Sequence, residues 1–445
     1  MKRIIRGTCL DLSSEGKGII KNGKETIFVS GLFIGEEADV EILYSRAGVL
    51  FGKIIKLHKI SKDRIDPRCK ICTICGGCQF QQLAYSAQLE YKTNRVKEAL
   101  KRIAHLDVIV KPCLGMENPY FYRNKIQVPF GLDKKGKIIS GFYKERSHEI
   151  IPIEECFIED RRAHPILKTI KKLMKEMKIA PYNEDLHTGT IRHVLIRTSF
   201  TSKDLMVVLV TNHANFGGQR NFVKSLVKEH PEITTIVGNV NFRKTNVILG
   251  EKEYILFGKG YIEDELLGVR FRISASSFYQ INPMQTEVLY STAIKAANIT
   301  KNDVLLDAYS GVGTIGLIMA KYTKEVLAVE INKDAIKDAI NNAKTNNITN
   351  IKFICDDASK YLNTLDRKLD VVIMDPPRKG SDEIFLSALL HNLPKRIIYI
   401  SCNPETLARD LSTLSKKYEI EIVQPIDMFP MTSHVETVVA LVLKK

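Results

Sequence analysis

The chain has 445 residues, 44% hydrophobic and 26% charged, and its 66 Lys+Arg against 51 Asp+Glu leave a formal net charge of +15. That length exceeds one compact core and predicts two or three domains. The basic excess favours a polyanionic partner such as nucleic acid, although plain solubility would also suit it.

The opening MKRIIRGTCLDLSSEGKG has no apolar core, so it is not a secretion signal. No stretch approaches the ~20 apolar residues that span a bilayer. The expectation is a cytoplasmic monomer with no membrane partner. Nine cysteines in a reducing compartment, four of them within ten residues, point to a metal or iron–sulfur site rather than disulfides.

Residues 1–58 are expected to form a small β-barrel. Strand candidates Glu25–Val29, Ala38–Leu43 and Val49–Leu57 are separated by Gly-containing turns at Ser14–Gly18 and Gly31–Gly35. A Lys-rich barrel with Gly at its bends suits a phosphate backbone, and a packing module without a ligand would share the pattern. After the cysteines, Tyr85–Ile103 has helical period, with Leu89, Lys92, Val96, Leu100 and Ile103 on one face. Residues 112–272 read mostly as strands, among them Glu149–Pro152, Val194–Thr198, Leu205–Val210, Val237–Asn241 and Val269–Ile273.

From about residue 285 strands and helices alternate. Strands Val304–Ala308, Glu325–Glu330, Ile351–Cys355, Leu369–Asp375 and Arg396–Ser401 predict a doubly wound parallel sheet. Ligands of such sheets sit beyond the carboxyl ends of the strands, and there the unusual residues fall.

The first of these strands runs into Asp307-Ala-Tyr-Ser-Gly311-Val-Gly313-Thr-Ile-Gly316. Its glycines let the backbone turn tightly against a ligand, as NAD enzymes also do. Glu330, ending the next strand, is placed to accept two ribose hydroxyls. Asp357 follows the third, where it can meet an adenine amine or simply cap a helix. The fourth ends in Asp375-Pro-Pro-Arg378-Lys-Gly380, a stiff extended loop. Enzymes that methylate exocyclic base nitrogens commonly carry an aromatic residue where this chain has Arg378. Together these favour S-adenosylmethionine.

The fifth strand delivers Ser401-Cys402-Asn403-Pro404 at the same edge. A lone cysteine is usually a small core residue, but this one lies opposite the expected methyl donor. A thiolate adding to C6 of uracil makes C5 nucleophilic, and a base must then remove the C5 proton. Glu436, among Val435, Val438 and Val439, is the candidate base, since an apolar setting raises a carboxyl pKa. On spacing alone, Cys69-Lys-Ile-Cys72-Thr-Ile-Cys75-Gly-Gly-Cys78 is compatible with zinc, although gaps so short crowd four ligands around one ion.

With these motifs in hand, the chain resembles the RNA uracil-C5 methyltransferases, which act on 23S rRNA or on the tRNA T-loop. Ser276–Asn282, Asp307–Gly316, Asp375–Gly380, Ser401–Asp410 and Asp427–Glu436 carry the resemblance, as do Cys69–Gln82 and Gly141–Cys156.

The resemblance implies three segments. Residues 1–58 would be a TRAM RNA-binding barrel of OB-like form. Residues 59–272 would be a mostly β central domain with an iron–sulfur cluster, its helix at about 85–104 packing on the catalytic part. Residues 273–445 would be a Rossmann-like S-adenosylmethionine-dependent catalytic domain.

It further implies Cys402 as nucleophile and Glu436 as base. Gln280, Tyr309, Gly311, Glu330, Asp357 and Asp375 would hold S-adenosylmethionine, and Phe278 would flank a flipped uracil. Cys69, Cys75, Cys78 and Cys156 would hold a [4Fe–4S] cluster, leaving Cys72 spare. Cys9, Cys113 and Cys355 read as small core residues. Relatives tend to have Gly-Asp where this chain has Asp356-Asp357. The favoured RNA is 23S rRNA, with tRNA as the alternative.

Three rival classes fit less well. A radical S-adenosylmethionine enzyme needs Cys-x3-Cys-x2-Cys, a spacing not present here. A non-catalytic RNA-binding protein has no use for Cys402, Glu436 and a cofactor pocket together. A cytosine-C5 enzyme places a Pro-Cys after the fourth strand, where this chain has Asp375-Pro-Pro-Arg378.

Overall fold

The computed structural model describes residues 3–144, 147–245 and 247–445. Two residues of the 1–58 segment, residue 246 of the 59–272 segment, and residues 145 and 146 of the Gly141–Cys156 stretch lie outside that description. The described residues form four sheets.

The N-terminal sheet has six strands in the order Ile4–Thr8, Glu37–Arg46, Val49–Lys59, Glu25–Val29, Gly18–Asn22, Asp11–Leu12. Alternating side chains turn Ile20, Ile27 and Val29 inward, where they meet Cys9, Leu32, Ala38 and Val40 in a small core.

The middle sheet has seven strands in the order Lys252–Gly258, Thr235–Val240, Leu205–Thr211, Ile191–Thr198, Lys125–Leu132, Ile138–Tyr143, Ile150–Pro152. Ile191–Thr198 and Leu205–Thr211 are buried at every position because both faces of the sheet are covered. Helices Ala163–Glu176 and Gln219–Glu229 pack on one face through Ile166, Ile170, Phe222 and Leu226. The mostly-strand reading of this region had not placed those helices, although Ile166, Ile170, Leu173 and Met174 have the spacing of a buried helical stripe. The opposite face, with Leu195, Met206, Val208 and Val210, shares a single apolar cluster with the C-terminal sheet, so packing runs unbroken across residue 272. The hairpin Ile262–Leu266/Val269–Ile273 belongs to the same cluster.

The C-terminal sheet has the order Ile351–Cys355, Glu325–Glu330, Val304–Asp307, Val371–Met374, Arg396–Ser401, Glu436–Leu443, Tyr418–Ile426. The first five strands are parallel and flanked by helices, giving a Rossmann-like fold. The sheet is not parallel throughout. Glu436–Leu443 runs antiparallel to both its neighbours. Residues 427–435 between the last two strands are too few for a crossover helix, so those strands pair as a long hairpin.

The helix Tyr85–Ile103 lays Val96 and Leu100 into the second apolar cluster of this sheet, with Leu306, Met374, Leu407 and Leu411. Ile103 on the same stripe remains 43% exposed. No helix among the described residues is long and apolar enough to cross a membrane.

Candidate active site

The parallel strands gather their carboxyl ends on one edge, where Asp307, Glu330, Asp375 and Cys402 end or follow four of them. The Gly-rich turn takes its shape from the first of these. Gly313 has φ +81°, and a Cβ on Gly316 would stand 2.9 Å from Asp307 Oδ2. The Gly316 N–H donates to that oxygen. Glu330 accepts from the N–H groups of Gly311 at 3.0 Å and Asn332 at 2.8 Å, so its carboxylate is fixed at the mouth of the turn.

The buried Tyr290 hydroxyl hydrogen-bonds the Gln280 side chain and lies within electrostatic reach of Asp375 and Asp307, which draws these residues together. Tyr309 is half-buried, edge-on to Phe385 at 5.5 Å, with its hydroxyl 3.4 Å from Ser381 Oγ. Asp357 caps the helix Ala358–Thr364, its Oδ1 accepting from the N–H groups of Ser359 and Lys360. Phe278, in the loop after the hairpin strand Val269–Ile273, is 72% exposed, an unusual cost for a Phe.

The antiparallel ladder of Arg396–Ser401 and Glu436–Leu443 ends at Ser401↔Thr437. Cys402, just past the end of one strand, therefore lies across from Glu436, the first residue of the other, which still pairs with Ile426. Cys402 is half-buried and opens into a cleft of about 820 Å³, whereas Glu436 is 7% exposed behind it.

Arg378, Asn403 and His434 line the cleft beside Cys402. Its other walls are remote in sequence: Ser14–Lys17 and Ser30–Gly31 from the N-terminal sheet, and parts of Cys72–Gln82. Sequence spacing had not suggested this shared wall.

Burial dominates the electrostatics. It pushes the Cys402 thiol up to about 12, with further elevation from Glu436 and Asp375 and an opposing pull from Arg378. It raises Glu436 to about 8, reinforced by Asp375 and again opposed by Arg378. Asp375 and Asp307 are each raised to about 7, mainly by desolvation. Acids crowded this closely resist a second negative charge and favour a positively charged ligand. Burial lowers His434 to about 4, so its ring is neutral.

The loop before Glu436 is held from an unexpected direction. Lys92, fully buried, pairs with Asp427 and donates to the Phe429 carbonyl at 3.1 Å, while the Tyr85 hydroxyl donates to Asp427 at 2.9 Å. Arg95 donates to the Ser433 carbonyl and, bidentately, to Glu405. A lysine inside an apolar stripe was the signal of this network in the sequence. Such a cation is buried where a carboxylate waits for it.

Cys69, Cys72, Cys75, Cys78 and Cys156 all line one cavity of about 270 Å³, walled by Phe142, Ile153 and Ile158. The set called from the family pattern is thus together, and Cys72 joins it. As placed, no three His, Cys, Asp or Glu side chains among the described residues converge tightly enough to grip an ion. Burial raises the Cys78 thiol to about 12 and raises Cys156 as well. Cys9 and Cys113 are buried, whereas Cys355 is exposed, contrary to its reading as a core residue. It ends the edge strand of the sheet, where no neighbouring strand covers it.

A Rossmann-like sheet with this edge chemistry, opening on a basic protein's cleft, defines an RNA-modifying methyltransferase. Residues 84–444 match the family described as tRNA (uracil-5-)-methyltransferase, and the chain belongs to that family. It is 45% identical, over 97% of its length, to a protein of Clostridium acetobutylicum described as an uncharacterized RNA methyltransferase, covering 95% of that protein. With a relative of the same description in Halalkalibacterium halodurans it shares 41% identity, covering 99% of this chain and 97% of the other. Among solved structures, the Pyrococcus abyssi tRNA (uracil-54, C5)-methyltransferase in complex with S-adenosyl-L-homocysteine is similar at a TM-score of 0.80 and 29% identity, over 98% of this chain and 100% of that one.

Proposed function

We propose that this chain methylates C5 of a uridine in structured RNA by covalent catalysis at Cys402. The observation that carries the reading is the pair at the end of an antiparallel ladder, with Cys402 open to the cleft walled by the N-terminal sheet and Glu436 buried across the ladder from it.

S-adenosylmethionine would supply an electrophilic methyl group, and the solved Pyrococcus relative was bound to its demethylated product. The acids Glu330, Asp307 and Asp375, together with Gln280, Tyr309, Gly311 and Asp357, make a setting that favours such a cation.

The Cys402 thiol loses its proton to water in the cleft and adds as thiolate to C6 of uracil. This turns C5 into the carbon that takes the methyl, with S-adenosylhomocysteine as the leaving product. Glu436 then removes the C5 proton, the C5–C6 double bond re-forms and the thiolate leaves. Arg378 faces both groups and stabilises negative charge as it develops on them. Phe278, exposed and two residues before Gln280, flanks the extruded base.

Residues 1–58 serve as an RNA-binding barrel, and the enzyme acts as a cytoplasmic monomer. For the RNA we retain 23S rRNA as the first reading. The similarity to a tRNA uracil-54 enzyme favours tRNA as the second.

We also propose that Cys69, Cys75, Cys78 and Cys156 hold a [4Fe–4S] cluster. Five thiols share one small cavity; the four named would draw closer around a cluster than they stand here, and the cluster would tie the cysteine segment to the middle sheet. Iron and acid-labile sulfide in anaerobically purified protein would test that assignment, and their absence would remove it.

Methyl transfer to unmodified 23S rRNA and tRNA transcripts, followed by nucleoside analysis, tests the function. 5-Methyluridine is the expected product. Methylcytidine or methyladenosine instead would overturn it.

A further inference from the structure

The reaction leaves unused a cavity of about 790 Å³ in the middle sheet, with Gln127, Tyr143, His148, Arg192 and His193 in its wall. It borders the chemistry. Lys144 lines both this cavity and the Cys402 cleft, while Gln127 and Phe142 line both it and the cysteine cavity. A strand of RNA threaded through the cleft therefore passes its mouth.

The wall selects its ligand by chemistry. The Tyr143 ring lies 5.7 Å from His148, tilted by 58°, and 6.2 Å from His193 at 80°, which presents a π surface with polar edges. His193 is 5% exposed, and its Nδ1 has no hydrogen-bond partner among the described residues. Burial and the neighbouring Arg192 lower its pKa to about 3, so the ring is neutral and offers one donor and one acceptor. A polar atom left unpaired at that depth is costly unless something comes to it.

The charges argue against a phosphate, since Lys144 at the rim is paired with Glu149 at 3.3 Å. Glu184 and Asp185 stand in the wall, the first held bidentately by Arg192 at 2.6 and 2.7 Å and the second paired with His148 at 2.9 Å. Arg192 is further committed to the carbonyls of Arg243 and Thr245, so it is not available to an anion. What fits is a flat, neutral, hydrogen-bonding group.

We infer that this cavity holds a second unpaired base of the substrate RNA, stacked against Tyr143 and read by His193, while the target uridine occupies the Cys402 cleft. The inference rests on the proposed function, since it takes the bound polymer to be RNA.

The probes are unmodified 23S rRNA and tRNA transcripts, assayed with labelled S-adenosylmethionine and, separately, photocross-linked to the full-length protein after 4-thiouridine incorporation. On the RNA that is methylated, Tyr143→Ala and His193→Ala should each raise KM for RNA about tenfold, the scale of one lost base stack or edge contact. Their kcat and their KM for S-adenosylmethionine should stay near wild type. His193→Asn, which keeps a polar edge at the Nδ1 position, should recover most of the loss. It also serves as the reading should His193→Ala prove unfolded by its thermal transition. Cross-links should map to the peptide bearing Tyr143 or His148 as well as to the Cys402 cleft.

Unchanged KM for RNA in both alanine variants, or cross-links confined to the N-terminal sheet and the Cys402 cleft, overturns the second-base assignment while uracil methylation stands. Cross-links at Tyr143 without any uracil methylation support the cavity's role and sink the proposed reaction instead.

Discussion

The described residues contain two seven-stranded sheets, each with a buried apolar core, and they treat strand direction differently. In the middle sheet most neighbours run antiparallel, so carboxyl ends fall alternately at opposite edges. Its polar residues are consequently dispersed, and its cavity is built from side walls rather than from strand ends. In the C-terminal sheet five parallel strands stop at one edge and bring Asp307, Glu330, Asp375 and Cys402 together. The single reversed strand, Glu436–Leu443, then returns to that edge from the other direction and places Glu436 at its start. Parallel strands collect the acids and the thiol proposed as cofactor site and nucleophile. The antiparallel one brings the proposed base.

If that contrast is right, the largest effects of substitution belong to the C-terminal edge. Cys402→Ala should abolish methyl transfer while S-adenosylmethionine binding, measured by calorimetry, stays near wild type. Turnover comparable to wild type would remove the covalent mechanism. Glu436→Gln should leave addition and methylation intact but stall elimination, so that a protein–RNA adduct persists on denaturing gels. A variant that turns over normally and shows no adduct would take the base role away from Glu436.

Next in size is the tie between the helix Tyr85–Ile103 and the loop before Glu436. Lys92→Met strands Asp427 as a buried, unbalanced charge, so unfolding in denaturant should show a loss of roughly 3–5 kcal/mol. A loss below ~1 kcal/mol would mean the pair stabilises little.

In the middle sheet a core truncation should affect stability alone. Leu209→Ala, at a fully buried position, should cost about 2–5 kcal/mol. Methyl transfer per folded molecule should be unchanged; a matching fall in kcat would erase the functional contrast between the sheets.

The smallest effect is one of pH. Glu436 is raised to about 8, so its base form grows as pH rises toward that value, and multiple-turnover release of methylated RNA should climb from about pH 6 to about 8. The same raised pKa means the folded state binds this proton more tightly than the unfolded chain. Its stabilising contribution is complete below the ordinary glutamate pKa and is lost as pH rises through about 8. Melting temperature of wild type should therefore fall over that range more than that of Glu436→Gln. A release rate that declines over the same window would contradict the assignment.

Much of this was legible along the chain because the information is local. Strands Glu325–Glu330, Ile351–Cys355 and Arg396–Ser401 and the helix Tyr85–Ile103 have the bounds their periodicity predicts. A Gly-rich turn, a Pro-Pro loop and a Cys-Asn-Pro turn identify themselves because backbone geometry restricts which residues can stand there. The helices Ala163–Glu176 and Gln219–Glu229 were missed among strongly apolar strands, where helical stripes are hard to separate from buried β runs.

Tertiary structure alone decided what pairs with what. No local signal says that Glu436 starts a reversed strand beside Cys402, that Lys92 reaches Asp427, or that Cys156 joins Cys69–Cys78 on one cavity. Nor does the sequence show Ser14–Lys17 closing the cleft over Cys402, or Lys144 linking that cleft to His193. Each depends on strand order and on desolvation by distant segments. Sequence marks the residues able to do the chemistry, and only packing brings them within reach and moves their proton affinities.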